Sequence, residues 1–249
     1  MKKLQFLDNV KVFIFDVGKT LFDKDCQTKC SEKTIEALNL LKRKGYEVGV
    51  CTMRTISHIK DIIDFDFDFF VLNNGSYLVY KNKVLIDEPL DIKISNKDFL
   101  TYTPFETFYS TNEAKDKANQ NGFIADKKGK ASKFYNLILF DANENEISKF
   151  KHHYSCYIRW KTKTISIQKA GCSRINAINE LTKALSVSTE QLIYFGDGPN
   201  DLEVFRYLQN SIAMGNCYPE LLKYARYQID TCKNDGVAKF IFSNCLLKQ

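Results

Sequence analysis

The stretch Val10-Lys11-Val12-Phe13-Ile14-Phe15-Asp16-Val17-Gly18-Lys19-Thr20-Leu21 decides how the chain is read. Residues 10–15 are β-branched and aromatic, the composition of a buried strand, and the run stops at a carboxylate. Working outward, Ser31 offers an N-cap to residues 34–41, whose apolar positions have helical spacing, and Gly45 stands where a helix C-terminal glycine belongs. Residues 46–51 read as the next strand and end at Thr52. Residues 59–65 read as a short helix, and residues 69–72 as a third strand running into Asn73-Asn74-Gly75. Strand–helix–strand alternation predicts an α/β fold with a parallel sheet and helices on its faces.

The pattern changes between about residues 76 and 167. Residues 78–80 and 83–86 read as a hairpin, 112–120 as a helix, 136–140 as a strand and 144–152 as a helix. Residues 156–161 and 163–168 can pair as a final hairpin. This is the pattern of an inserted α+β domain rather than a continuing parallel sheet. The first pattern resumes at Ser173 with a helix over 174–185 and a strand over 191–195 that ends at Gly196-Asp197. A helix near Asp201, strands at 211–214 and 227–230 and a closing helix near Val237 complete it. The expected division is a core of residues 1–80 and 169–249 with an insert of residues 81–168.

A chain of 249 residues suffices for such a core and insert. Its net charge of +6 is spread along the chain as a Lys-rich solvated surface. No basic run interleaves with aromatics in the manner of a nucleic-acid site. The eight cysteines form no CxxC pair, so reduced thiols and a cytoplasmic location are expected. No stretch approaches the length of a membrane span. Oligomeric state is left open.

In open parallel sheets the ligand lies beyond the carboxyl ends of the strands. Four such ends carry polar residues here: Asp16, Thr52-Met53-Arg54, Asn73-Asn74-Gly75, and Gly196-Asp197-Gly198-Pro199-Asn200-Asp201. A carboxylate at Asp16 can attack phosphorus and form an acyl phosphate. Its charge would repel phosphate without a cation between them, and Asp197 and Asp201 supply further carboxylates for Mg²⁺. Thr52 can hydrogen-bond a phosphoryl oxygen, and Arg174 can neutralise its charge. A single Asp at a strand end is more often a cap or turn residue; four matched ends outweigh that reading. His58, His152 and His153 are scattered and read as surface or packing residues. Tyr154, Tyr157 and Trp160 read as strand packing or part of a substrate face.

These motifs resemble the haloacid dehalogenase (HAD) superfamily, and more narrowly its Cof-type phosphatases with a class IIB cap. Residues 13–21 stand at the first motif and residues 48–54 at the second, followed by the Asn74-Gly75 pair. Gly171-Cys172-Ser173-Arg174 stands at the third motif and residues 194–201 at the fourth. Ala213-Met214-Gly215-Asn216 and Asp235-Gly236-Val237-Ala238 match the closing segments. The resemblance implies a Rossmann-like three-layer core with a parallel sheet, plus an inserted α+β cap domain. It implies that Asp16 is nucleophile and metal ligand. The Gly18 carbonyl and Asp197 would be further ligands, and Asp201 would hold metal-bound water or support Asp197. Thr52 and Arg174 grip the phosphate, and Thr20, Arg54, Asn74, Gly75 and Asn200 lie at the substrate. The cofactor is Mg²⁺ and the partner a small phosphorylated metabolite, with neither nucleic acid nor membrane.

Departures at three positions limit the analogy. Where the resembling phosphatases carry a general acid/base Asp two residues after the nucleophile, this chain has Gly18, a loss that typically costs about 10²–10⁴ in rate. Lys19 follows where glycine is usual, and Arg174 replaces the usual lysine with a planar fork of different reach. The expectation is therefore a slow phosphohydrolase. The alternatives are a catalytically impaired protein that binds a phosphorylated ligand or partner, and an enzyme for leaving groups that need no protonation, such as an enolate or an acyl phosphate.

Overall fold

A computed structural model describes residues 4–94, 97–121, 123–159 and 164–245. The chain opens with β1 (Val12–Phe15), α1 (Glu32–Arg43), β2 (Glu47–Cys51), α2 (Ile56–Ile62), β3 (Phe69–Leu72), β4 (Tyr77–Tyr80) and β5 (Lys83–Asp87). A second unit follows: β6 (Phe99–Tyr102), β7 (Thr107–Tyr109), α3 (Asn112–Gln120), β8 (Lys127–Lys128), β9 (Asn136–Leu139), α4 (Glu144–His153), β10 (Tyr154–Arg159) and β11 (Thr164–Lys169). The chain then returns through α5 (Arg174–Leu185), β12 (Leu192–Gly196), α6 (Leu202–Tyr207), β13 (Ser211–Ala213), β14 (Tyr227–Gln228) and α7 (Gly236–Cys245).

The larger sheet has the order β14-β13-β12-β1-β2-β3-β4-β5, parallel from β14 to β3 and antiparallel beyond. β1 is central and wholly buried, so its alternate residues need apolar partners on both faces. Phe13 and Phe15 join the cluster that includes Leu38 and Leu41 of α1 and Ile241 of α7, while Val12 and Ile14 join Ala177, Ile178 and Leu181 of α5. Helix, sheet and helix stack as the three-layer Rossmann-like core. The fold is α/β, as expected.

Three details depart from the sequence reading. The 83–87 segment, assigned to the insert, is β5; it pairs with β4 and extends the larger sheet, because a hairpin can add antiparallel strands to a parallel sheet edge. The helix expected at 59–65 lies at Ile56–Ile62, because the Thr55 side chain caps it by accepting the His58 N–H and Ile63 turns extended. β6, β7 and β8 were not read at all, being two to four residues long without clear alternation. Trp160 and the turn of the last hairpin lie outside the described residues.

The second unit is a six-stranded sheet in the order β10-β11-β9-β6-β7-β8. Successive β9 residues face opposite ways: Leu137 and Leu139 pack with Ile147 of α4, and Ile138 packs with Ala114 and Ala118 of α3. This unit is fastened to the core beside the strand ends. The Ile56 N–H donates to the Pro104 carbonyl (2.8 Å), and the Ser57 hydroxyl donates to the Phe105 carbonyl. Buried His58 meets both Asp126 oxygens (3.0 and 2.8 Å), and Asp126 also accepts from the Thr107 hydroxyl (2.7 Å).

After β3 the chain turns back through Asn73, Asn74 and Gly75, all left-handed (φ 51°, 53° and 96°). Asparagine tolerates this region, whereas at Gly75 a Cβ would also stand 2.1 Å from the Ser173 carbonyl oxygen. Gly75→Ala is therefore expected to destabilise the fold by roughly 3 kcal/mol, lowering Tm by roughly 6–12 °C in calorimetry or thermal-shift measurement. An unchanged Tm would contradict the packing described.

Candidate active site

The parallel strands deliver their carboxyl ends to one edge. Phe15 is level with Phe195 and Val50, so residues far apart in sequence emerge side by side. The Asp16 N–H continues the ladder by donating to the Phe195 carbonyl (2.8 Å), and the Thr52 N–H donates to the Val71 carbonyl (2.9 Å). Between this edge and the second unit lies a cleft of about 890 Å³, whose wall includes Asp16, Thr52, Arg54, Arg174, Asp197 and Asn200.

Arg174, the first residue of α5, is buried to 2% exposure. Its Nη1 donates to Asp201 Oδ1 (2.5 Å), to the Tyr194 hydroxyl oxygen (2.8 Å) and, more weakly, to Asp16 Oδ1 (3.4 Å). Nε donates to Asn74 Oδ1 (3.3 Å), and Glu203 accepts the Arg174 backbone N–H (3.0 Å), satisfying an orphan donor at the start of the helix. Nη2 has no partner among the described residues. A buried guanidinium is tolerable only with such compensation.

Asp201, 1% exposed, has both oxygens filled. Oδ1 accepts from Arg174 and from the Tyr194 hydroxyl (2.6 Å); Oδ2 accepts the backbone N–H groups of Asp197 (3.0 Å) and Gly198 (2.8 Å). Four bonds exhaust a carboxylate's lone-pair sites, so Asp201 holds the Asp197 loop rather than offering an oxygen outward. Its carboxyl also packs where a side chain on Gly196 would stand, 2.6 Å from a Cβ there.

Ligand atoms of Asp16, Asp197 and Asp201 lie within 4.8 Å of one another. Burial first, then repulsion from Asp201, pushes the Asp16 carboxyl up to about 7 against opposition from Arg174 and Arg54. Burial, then Asp16 and Asp201, pushes Asp197 up to about 8. The Asp16 and Asp197 carboxylates, oxygen donors whose charges repel in a buried site, fit a hard divalent cation such as Mg²⁺. Thr52 Oγ1 accepts the Arg54 N–H (3.2 Å), so its hydroxyl hydrogen remains to be donated.

Not every residue read from the sequence reaches the cleft. Thr20 (1% exposed) and Asn74 (8%) lie behind it, the latter orienting Arg174, and Gly75 packs on Ser173. Lys19 is left-handed (φ 56°), a conformation suited to glycine, and its ammonium pairs with Asp25 (3.6 Å). Gly18 is in the wall; a Cβ built there meets only Arg54 Nη2, at 3.8 Å. Tyr154 packs against Phe150 within the second unit. Sequence reasoning missed Tyr194 and Glu203. Tyr194 carried a signal, a hydroxyl in an otherwise apolar strand.

The family model for haloacid dehalogenase-like hydrolases matches residues 13–241, and the chain belongs to that family. It is 24% identical to the "Putative phosphatase YkrA" of Bacillus subtilis over 96% of this chain and 99% of that protein. A HAD-superfamily phosphatase structure from Bacteroides thetaiotaomicron superposes with a TM-score of 0.78 at 19% identity, covering 94% of each chain. A HAD subclass IIB sugar phosphatase does so with 0.75 at 17%, covering 94% of this chain and 98% of that one. The Cof-type resemblance read from the motifs agrees with these neighbours. Among the described residues no helix is long and apolar enough to cross a membrane.

Two measurements test the site. Raised carboxyls bind protons more tightly folded than unfolded. Their contribution to stability is full below about pH 4 and is lost as pH rises through about 7 to 8. A cation competes with those protons, so the Tm increment from added Mg²⁺ is expected to grow from pH 5 to pH 8; a pH-independent increment would contradict the assignment. Tyr194→Phe removes the hydroxyl shared by Arg174 and Asp201 and should cost about 1–3 kcal/mol in denaturant unfolding.

Proposed function

We propose that the chain is a Mg²⁺-dependent phosphohydrolase acting on a small phosphorylated, sugar-phosphate-like metabolite through an aspartyl-phosphate at Asp16. The observation that carries this reading is the meeting of the Asp16 and Asp197 carboxylates with the guanidinium groups of Arg54 and Arg174 at one strand edge, beneath a second unit. Asp16, Asp197 and the Gly18 carbonyl would hold the metal, with Asp201 fixing the Asp197 loop. The bound ion supplies the charge neutralisation that lets a phosphate approach a carboxylate. Thr52 donates its hydroxyl, and Arg174 its Nη2 hydrogens, to phosphoryl oxygens. Asn200, whose Oδ1 is buried without a partner, faces the bound substrate. The unit from about residue 88 to 168 serves as the cap that selects substrate and excludes water.

Asp16 attacks phosphorus, and the phosphoenzyme is then hydrolysed. Gly18 leaves this second step without the usual base, so the acyl phosphate is expected to accumulate. The names of the relatives agree in chemistry: a phosphatase, and a sugar phosphatase in the structural comparison.

The test is phosphate release from a phosphometabolite panel with Mg²⁺, run on natural, Asp16→Asn and Gly18→Asp proteins. Asp16→Asn should abolish release. Gly18→Asp, which the open space at position 18 admits, should raise it by about 10²–10⁴-fold for alkyl esters. Tight phosphate binding with no turnover in either the natural or the Gly18→Asp protein would establish a ligand-binding role instead.

A further inference from the structure

We propose that Arg54 takes the place of the missing proton donor, holding the leaving oxygen as an anion, and thereby restricts the enzyme to aryl and enol phosphates. The proposal rests on the phosphohydrolase reading above and revises its substrate class, since a sugar phosphate is an alkyl ester whose basic leaving group this arrangement disfavours.

Three observations carry it. First, Arg54 Nη2 lies 3.8 Å from the Cβ position of Gly18, so a guanidinium occupies the space beside which an acid would stand. Second, that guanidinium makes no hydrogen bond or ion pair among the described residues, although it is half-buried in the cleft wall. It stacks near the Phe22 ring, 5.8 Å from its carbon to the centroid, and feels the charge of Asp16. An arginine keeps its proton at any working pH, so it can donate hydrogen bonds to an oxyanion but cannot protonate it. Third, among the described residues the second unit contributes uncharged groups to the cleft: Tyr102, Gln120, Asn121, Phe123 and Ile124. Tyr102 and Phe123 belong to one apolar cluster, against which Met53 of the core packs. That wall suits a planar, uncharged leaving group.

Two other titratable groups in the wall are engaged. His58 is held by Asp126, and Asp25 is paired with Lys19. Asp23 accepts the Asp25 N–H (3.1 Å) through one oxygen. In the first step the Asp16 oxygen bonds to phosphorus while the ester P–O bond breaks. Its electron pair leaves with the alcohol oxygen, which departs as an anion on the Arg54 N–H groups and takes a proton later from solvent. In the second step a water oxygen bonds to phosphorus and the Asp16–phosphorus bond breaks. The carboxylate is restored, and the water proton passes to solvent.

The experiment is kcat/KM with Mg²⁺ across a series from nitrophenyl through phenyl to alkyl phosphates. It uses natural, Gly18→Asp, Arg54→Lys, Arg54→Met and Asp23→Asn proteins, with Tm confirming that each folds. The natural protein should fall steeply along the series. Gly18→Asp should flatten the dependence by raising alkyl esters about 10²–10⁴-fold and nitrophenyl esters little. Arg54→Met should steepen it, hurting the more basic leaving groups most, with Arg54→Lys intermediate. The proposal is overturned if the natural protein is flat along the series while Gly18→Asp is active. It is equally overturned if Arg54→Met lowers every ester by one factor, the result for a residue that only grips phosphate. A slope that changes in Asp23→Asn instead would assign proton donation there. If neither the natural protein nor Gly18→Asp turns over even nitrophenyl phosphate, the hydrolase reading itself fails.

Discussion

The buried guanidinium of Arg174 is the interaction on which the site depends. One nitrogen meets Asp201, Tyr194 and Asp16, and another meets Asn74, so a single side chain ties together three of the four strand-end segments. Burying a charge demands partners on every side, and here the partners are the groups that must be positioned. Asp201 passes the constraint on, since its second oxygen fixes the backbone carrying Asp197. The usual lysine would bring a point charge; the arginine fork brings directional bonds.

The carboxylates make the complementary argument. Asp16 and Asp197 sit where burial and mutual repulsion disfavour their charged forms, a cost the chain tolerates at a functional edge. A cation there would relieve it. Thus the same burial that sharpens the Arg174 network prepares the strand edge for a divalent metal, and the two halves of the site depend on each other. The insert encloses this edge through the contacts at Ile56, Ser57 and His58, all made from the short helix that follows Thr52-Met53-Arg54. The position of Arg54 is therefore set from both sides of the cleft.

Much of the core was legible because a fully buried central strand leaves a strong compositional trace and its carboxyl end is marked by a polar residue. The reading of β1, α1, β2 and α5 rested on that trace and, for α1, on the cap at Ser31, which accepts the expected backbone N–H; the structure adds an equivalent cap at Ser173. The insert was less legible. β6 to β8 are too short for periodicity, and the β4–β5 hairpin looks the same in sequence whichever sheet it joins.

The sequence by itself determined the set of chemical groups: a carboxylate after the first strand, a second acidic loop after β12, a hydroxyl and a guanidinium after β2, and the absence of an acid at Gly18. These are properties of residue type and spacing. Only the tertiary structure decided their division of labour. Whether Asp201 faces outward or supports a loop depends on whether its lone pairs are filled, and Tyr194, Arg174 and two backbone N–H groups fill them. Whether Thr20 and Asn74 reach the cleft depends on which face of a buried turn they occupy. That Arg54 stands beside the place Gly18 leaves open follows from the register of β1 against β2, which brings the two loops together across a distance no local spacing encodes.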